Sequence, residues 1–517
     1  MSNKTFWLSL SILSTGATGL IYEYILSTVS SYILGNSIEQ FSITIAVMLF
    51  FMGVAGYFQK KLTDKYLVEK FISVELALSF LGSIVVIGIY LAYIYLENFY
   101  LVYYLLASIT GALIGLEIPI VLRINEKFSK ALKENLSLIY SADFIGAFIG
   151  ALIWVFILLK YFSIIQIGFI ISTINLIVAV ITFLTFREEI SKKYIYTIVV
   201  LSLSIFLINF VGFIYSKKIE IFLQKSMFKD PVIYHRRTKY QDITITRNRK
   251  NGEIRLYING NLQFCSTDER LYHEFLVHPA VALTSNLREV LVLGGGDGLA
   301  VRELLKYENV NITLIDLDKG MIKIAKEKPL SILNEKAFYY ENVKVINSDA
   351  FVYIDNFIKN KKKFDLIIID FPDPSNINLA KLYSLEFYKK LYKILTSDGV
   401  ISVQATSPYF ASKTFLCIDK TLRNAGFNTI KYHYDIPSFG DWGFIIGYKY
   451  GKSLMEKRIN NFSLKTINTY FLTDKLFKTS LIFPKNWIKT TEENVEINSI
   501  FNPVIVKYYN EETKYDW

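Results

Sequence analysis

The stretch EVLVLGGGDGLAVRELLKY, residues 289–307, runs an apolar strand-like segment into Gly294-Gly295-Gly296-Asp297-Gly298 and then into a helix-like pattern. Glycines at such a junction let the backbone approach a ligand closely, which makes Gly294 and Gly296 candidate ligand contacts. Asp297 inside the loop argues against a phosphate cradle, because a carboxylate repels the anion. A cationic or amino-bearing ligand suits it better, and a dinucleotide does not.

The segments that follow repeat the strand-then-acid pattern. VNITLIDLD (310–318) places Asp316 at a strand end, where an acid accepts hydrogen bonds from ribose hydroxyls in doubly wound nucleoside-binding folds. VKVINSDA (343–350) ends on Asp349, suited to an adenine amino group, with Ala350 leaving room for the ring. Loop, Asp316 and Asp349 at successive strand ends describe an adenosine pocket of S-adenosylmethionine type. The alternative is three chance turn residues, since turns favour Asp and Gly. FDLIIIDFPDPSN (364–376) then delivers Asp370 to the sheet edge, with Asp373 one short turn later. Two carboxylates there have a use. An amine with a pKa of about 10 arrives protonated, so one acid can hold the cation while the other removes its proton.

Working outward, ITITRN, IRLYING and GVISVQA complete an alternation of short strands with helix-like segments, the pattern of a parallel sheet wrapped by helices. N-terminal to Lys217 the chain changes character. Of its 517 residues 52% are hydrophobic and 20% charged, and the mean hydropathy is +0.32. The apolar excess lies in seven stretches, 6–34, 41–59, 71–96, 99–122, 138–159, 163–186 and 194–215, each long enough to cross about 30 Å of hydrocarbon. The first is read as an uncleaved helix, because no small-residue cleavage signal follows it. Glu23, Glu75, Glu117 and Asp143 fall within or near these spans, where an ionised carboxylate costs about 2.5–3.5 kcal/mol at a helix centre. They read either as a cation site, with a polyamine as the candidate, or as neutral groups bonded to neighbours. Gly146 and Gly150 form a GxxxG, read as close helix packing.

Basic residues cluster in alternate loops: Lys60, Lys61, Lys65 and Lys70, then Arg123, Lys127, Lys130 and Lys133, then Arg187, Lys192 and Lys193. The positive-inside rule puts those loops in the cytoplasm, and seven spans would then leave the C-terminal half outside. An intracellular cosubstrate requires the opposite, so a cell-membrane, multi-pass protein with a cytoplasmic catalytic half is expected against the charge bias.

The net charge of +11 is spread without a basic, aromatic-interleaved block, so no nucleic-acid partner is expected. Two cysteines and four histidines make a disulfide framework or zinc site a poor fit, leaving carboxylates, backbone and hydroxyls for the chemistry, with no metal required.

Residues 230–450 resemble the polyamine aminopropyltransferases (spermidine synthases), on Tyr240-Gln241, LYINGNLQFCSTDERLYHEFLVHPA (256–280), GGGDG, LIDLD, SDA, DFPDP and LYSLEFYKKLYKILTSDGV (382–400). GLEIPIVLR, SADFIGAFIG, QATSPYF and IPSFGDWGF extend the likeness to the membrane-fused branch. The resemblance implies transfer of an aminopropyl group from decarboxylated S-adenosylmethionine to putrescine or a related amine, giving spermidine and methylthioadenosine, with no cofactor beyond that cosubstrate. It implies that Gln263, Tyr272 and His273 help bind the nucleoside and that Asp297 holds the aminopropyl ammonium. It further gives Asp316 the ribose, Asp349 the adenine and Asp370 the role of general base, with Asp373 and Gln241 positioning the acceptor. His273 as a packed or capping residue, Tyr272 as core and Gln241 as a backbone partner are the structural alternatives.

Soluble members carry Tyr-Pro-Ser-Gly over the acceptor, and here Ile436-Pro437-Ser438-Phe439-Gly440 stands instead, which leaves the acceptor open among putrescine, other polyamines and other amines. The rival functions are an S-adenosylmethionine-dependent methyltransferase, and a polyamine transporter or sensor with a non-catalytic binding domain. The expected organisation is a polytopic transmembrane domain (1–217), a small β subdomain and gate (228–290), a Rossmann-like transferase domain (287–450) and an extension (451–517) read as a closing helix and polar tail. Expected partners are a small-molecule amine and the lipid bilayer, with a homo-oligomer left open.

Overall fold

The computed structural model describes residues 3–34, 37–128, 132–464 and 467–513, and the chain divides into two compact units, Met1–Lys229 and Asp230–Trp517. The first unit is built from the long helices Asn3–Leu34, Ser37–Phe58, Leu67–Tyr95, Phe99–Asn125, Leu132–Ile153, Ile164–Thr185 and Lys192–Met227. Among the described residues, six segments are long and apolar enough to cross a membrane: Glu39–Lys61, Leu67–Tyr95, Phe99–Asn125, Leu132–Tyr161, Ile164–Thr185 and Lys192–Met227.

A long helix runs through each of the seven expected stretches. The first expected span falls on Asn3–Leu34, which is long enough at 32 residues. Ser9, Ser11, Ser14, Thr15, Thr18 and Glu23 interrupt its apolar run.

Gly146 and Gly150 bring their helix hard against this first one. A Cβ at Gly146 would lie 2.0 Å from the Leu13 carbonyl oxygen and one at Gly150 2.6 Å from that of Ala17, the close backbone approach that small residues permit. Three other helices share a polar seam in which Ser83 and Ser172 each donate to Asn209 Oδ1 at 2.8 Å. In the same unit Glu75 is wholly buried.

The second unit carries two sheets. β1 (Val232–Arg237), β2 (Asp242–Arg247), β3 (Ile254–Ile258) and β4 (Asn261–Cys265) form an antiparallel sheet in sequence order. β5 (Glu289–Gly294), β6 (Asn311–Asp316), β7 (Val343–Asn347), β8 (Phe364–Asp370), β9 (Leu395–Gln404), β10 (Asn428–Ile436) and β11 (Gly440–Tyr448) form the larger sheet, in the order β10-β11-β9-β8-β5-β6-β7. The run from β9 to β7 is parallel, as the alternation of strands and helices predicts. The hairpin β10–β11 adds an antiparallel edge, a departure from an all-parallel reading. Its turn is Pro437-Ser438-Phe439, so the segment read as a loop motif lies on a hairpin.

Parallel strands need cover on both faces. β8 has it: Leu366, Ile367, Ile368 and Ile369 are fully buried. Leu366 and Ile368 belong to one apolar layer, Ile367 and Ile369 to the other. From β5 the chain steps outward through β6 to β7, then returns to place β8 on the other side of β5. This reversal opens a crevice at the carboxyl ends of β5 and β8, where ligands bind in open parallel sheets. The glycine loop follows β5 and Asp370 ends β8, so both lie at that crevice. The four-stranded sheet packs Ile243, Ile245, Leu256 and Phe264 against Leu299, Met321 and Ile324, just beyond the loop and the β6 end.

Candidate active site

The glycine loop is shaped around two carboxylates. Gly294 and Gly295 hold φ of +78° and +61°, and the Gly295 N–H donates to the Asp370 carbonyl at 3.1 Å. A Cβ on Gly294 would meet that carbonyl oxygen at 2.2 Å, and one on Gly296 would meet Asp316 Oδ2 at 2.6 Å. Glycine is therefore required by contact as well as by conformation. The loop passes between the ends of β8 and β6 and brings Asp297 into electrostatic range of both Asp370 and Asp316.

Each acid is held by a specific donor. Asp297 Oδ1 accepts the Leu299 N–H at 2.9 Å, and Asp316 Oδ1 accepts that of Asp318 at 2.7 Å. Asp370 Oδ1 accepts the Tyr272 hydroxyl at 2.7 Å. Asp373 is gripped at both oxygens, by Gln404 Nε2 at 3.2 Å and by the Tyr509 hydroxyl at 3.0 Å. Burial pushes Asp297, Asp316 and Asp373 up to about 6. It also raises Asp370, with His273 and the Tyr272 hydrogen bond acting in the opposite sense. An electronegative pocket of half-desolvated acids is built to receive cations, whose arrival favours the ionised forms.

Helix Glu269–Ala282 supplies Tyr272 and His273 from behind the acids. His273 is buried, with Nδ1 2.6 Å from the Glu269 carbonyl oxygen and 3.1 Å from Glu269 Oε2, leaving Nε2 4.0 Å from Asp370 Oδ2. Burial alone would lower its pKa. Glu269 outweighs this and lifts it to about 9, so the ring is cationic at neutral pH. Glu269 is in turn locked to Arg302 through bonds of 2.7 and 2.9 Å. His273 and Glu269 offset one another, so the aspartates keep their net negative charge.

The remaining sequence candidates divide. Gln241 closes a turn in which its N–H donates to Thr238 Oγ1 at 3.0 Å, and Thr238 donates to Asp318 Oδ2 at 2.7 Å. The turn is thereby tied to the β6 end. Gln263 lies on β4 with Nε2 directed at the carbonyls of Asn261 and Leu262, at 3.2 and 3.3 Å. Among the described residues no hydrogen bond joins it to the aspartates. Asp349 caps the helix Ala350–Lys359, Oδ1 accepting the Phe351 N–H at 2.9 Å, while Oδ2 pairs with Lys381 at 2.6 Å.

Sequence reasoning passed over Gln404, Tyr383 and Tyr509. Gln404 ends β9 and also donates to the Phe371 carbonyl at 2.6 Å and the Tyr383 hydroxyl at 2.8 Å, clamping the DFPDP turn. Gln404 and Tyr383 stand inside QATSPYF and LYSLEFY, motifs that flank the acids without an evident chemical role.

Comparison with known proteins identifies the family. The Spermine/spermidine synthase domain family matches residues 269–458. The polyamine aminopropyltransferase of Leptospira interrogans is 36% identical, over 98% of this chain and 98% of its own length. That of Oceanobacillus iheyensis is 34% identical over 95% and 94%, and polyamine aminopropyltransferase 1 of Streptomyces coelicolor 34% over 98% and 94%. A crystal structure of spermidine synthase in complex with the transition state analogue AdoDATO shares 26% identity, covering 49% of this chain and 86% of that one with a TM-score of 0.44. With whole-length relatives at this level of identity, the chain belongs to the polyamine aminopropyltransferase (spermine/spermidine synthase) family.

Proposed function

We propose that this protein transfers the aminopropyl group of decarboxylated S-adenosylmethionine to putrescine or a related amine, with five aspartates dividing the work. The observation that carries the reading is the convergence of Asp297, Asp316 and Asp370 on one glycine loop at the topological crossover of the sheet. Asp316 takes the ribose, Asp349 takes the adenine while capping its helix, and Asp297 takes the ammonium of the aminopropyl arm. Gln263, Tyr272 and His273 support the nucleoside side, Gly294 and Gly296 give it room, and Gln241 and Asp373 hold the acceptor amine.

In the step itself, Asp370 removes the proton from the acceptor ammonium. The freed lone pair attacks the aminopropyl carbon beside the sulfonium, and the carbon–sulfur bond breaks with its electron pair returning to sulfur. Neutral methylthioadenosine leaves, and the amine keeps a new carbon–nitrogen bond. Fixing both cations on rigid strand ends supplies the proximity that such a displacement requires. The Tyr272 hydrogen bond aims Asp370, and with the nearby His273 cation it works against the upward push of burial on that carboxyl.

The acid-side pH dependence follows from the three carboxylates near 6. Below that value they are protonated and neutral, so kcat/KM is expected to fall as pH drops from 7 to 5. Cation binding pulls their pKa values down, so donor binding near pH 6 should release protons. Calorimetry in buffers of different ionisation enthalpy reads this directly, and binding without proton release would contradict it.

The catalytic half is assigned to the cytoplasm of a multi-pass membrane protein. Lys217, Lys218, Lys225 and Lys229 follow the apolar part of the last helix, so basic residues flank that span on both sides, and the need for an intracellular cosubstrate decides the side against the bias of the alternate loops. The acceptor is tested by mass spectrometry of products formed with a panel of diamines, polyamines and simple monoamines. Putrescine as the preferred acceptor is expected, and modification of monoamines at equal rates would contradict it.

A further inference from the structure

The chain beyond the large sheet turns back onto it and is fastened at several points. Glu274 accepts the N–H groups of Phe471 and Leu472 at 2.8 Å. Asn498 donates to the Ala380 carbonyl and accepts the Leu385 N–H, both at 2.8 Å, just downstream of the DFPDP turn. The helix Val504–Thr513 is then pinned along its length. Ile505 is fully buried in the layer that includes Ile367 and Ile369. The Tyr508 hydroxyl accepts the Glu496 N–H at 3.1 Å, and Glu512 accepts the N–H groups of Lys413 and Thr414 at 2.9 and 3.3 Å, at the first turn of helix Ser412–Asn424. Between these anchors Tyr509 has a fixed direction, and its hydroxyl donates to Asp373 Oδ2 at 3.0 Å.

We propose that Tyr509 is a positioning residue of the acceptor site, so that this site is completed by a helix from the C-terminal extension. A carboxylate offers about four lone-pair directions. Gln404 and Tyr509 take one on each oxygen of Asp373 and leave the others for a cation. Such a two-point grip fixes the plane of the carboxylate without neutralising it, since both donors are uncharged. Burial holds the Tyr509 hydroxyl well above the usual tyrosine range, so it stays a donor across the working pH.

The inference rests on Asp373 facing the acceptor, as assigned above, and Tyr509→Phe tests it while keeping the ring. In the full chain the KM for putrescine is expected to rise about tenfold, the scale of one lost hydrogen bond to a charged group. The kcat at saturating putrescine and the KM for decarboxylated S-adenosylmethionine should stay within about twofold of wild type. Methylthioadenosine binding, followed by calorimetry, reports whether the nucleoside side of the variant is still folded. Tyr508→Phe, one residue away on the same helix, controls for packing and is expected to leave the putrescine KM unmoved. An unchanged putrescine KM in Tyr509→Phe, with wild-type transfer intact, would overturn the inference and spare the enzymatic reading. An equal rise in Tyr508→Phe would overturn it too, by reducing the effect to helix docking. Absence of transfer to any amine by the wild type would remove the acceptor site and the inference with it.

Discussion

Asp370→Asn is expected to lower kcat by a factor of roughly 10²–10⁴, the range that a positioned general base contributes, while methylthioadenosine binds nearly as it does to wild type. The asparagine keeps the size of the side chain and can still accept the Tyr272 hydroxyl now held at 2.7 Å. The Gly295 N–H bonds to the main-chain carbonyl of residue 370 and is untouched. What disappears is the capacity to take a proton from the incoming ammonium. A group that merely held the cation would give a different signature, a raised acceptor KM at preserved kcat. Steady-state kinetics with the two substrates varied independently separates these, and a wild-type kcat would remove Asp370 as the base.

Arg302→Met is expected to destabilise the catalytic unit by about 3–5 kcal/mol, as breaking one side of a buried ion pair does. Arg302 is 2% exposed. It bonds both oxygens of Glu269, reaches Glu303 Oε1 at 2.8 Å and donates to the Leu333 carbonyl at 2.8 Å. Its loss strands one carboxylate at the start of the helix that carries Tyr272 and His273, and a second beside His278. For a unit of this size that loss corresponds to a fall in Tm on the order of 10 °C, read by thermal unfolding of the detergent-solubilised chain. A fall below about 2 °C would show that the neighbouring cations suffice. Arg302→Lys, which keeps the charge but not the two-pronged geometry, should lie between Met and wild type.

How much of this was legible in the sequence depended on whether the signal was local. The glycine loop, Asp316, Asp370 and Asp373 each follow an apolar run that can only be a buried strand, so their arrival at one sheet edge follows from the run lengths and the parallel order. Asp349 sits directly before a helical run, where an aspartate favours capping, and it carries that role together with a lysine partner. The Lys381 contact depends on a fold-back that no spacing reveals. Tyr509 left no trace at all, since a tyrosine on a ten-residue helix reads as core, and its meaning comes from Glu512, Ile505 and Asn498 docking that helix beside the acids. The β10–β11 hairpin was obscured because Pro437 interrupts an otherwise strand-like run, and proline in such a run reads as a break.

In the N-terminal unit, length and composition legibly fix where the long helices run. Asn3–Leu34 has the length of a span, and Ser9, Ser14, Thr15 and Thr18 on it return their hydroxyls to carbonyls of the same helix. Ser79 and Ser172, which also read as mild interruptions, are instead bonded to one another across two helices.

The most direct test of the electrostatic pocket is to offer the purified full-length protein putrescine with either decarboxylated S-adenosylmethionine or S-adenosylmethionine itself, and to resolve the nucleoside products by mass spectrometry. Four aspartates around one crevice favour the donor that lacks a carboxylate. The expected result is methylthioadenosine formed one-for-one with spermidine from the decarboxylated donor. Accumulation of S-adenosylhomocysteine and a methylated amine from S-adenosylmethionine, with no methylthioadenosine from the decarboxylated form, would contradict it.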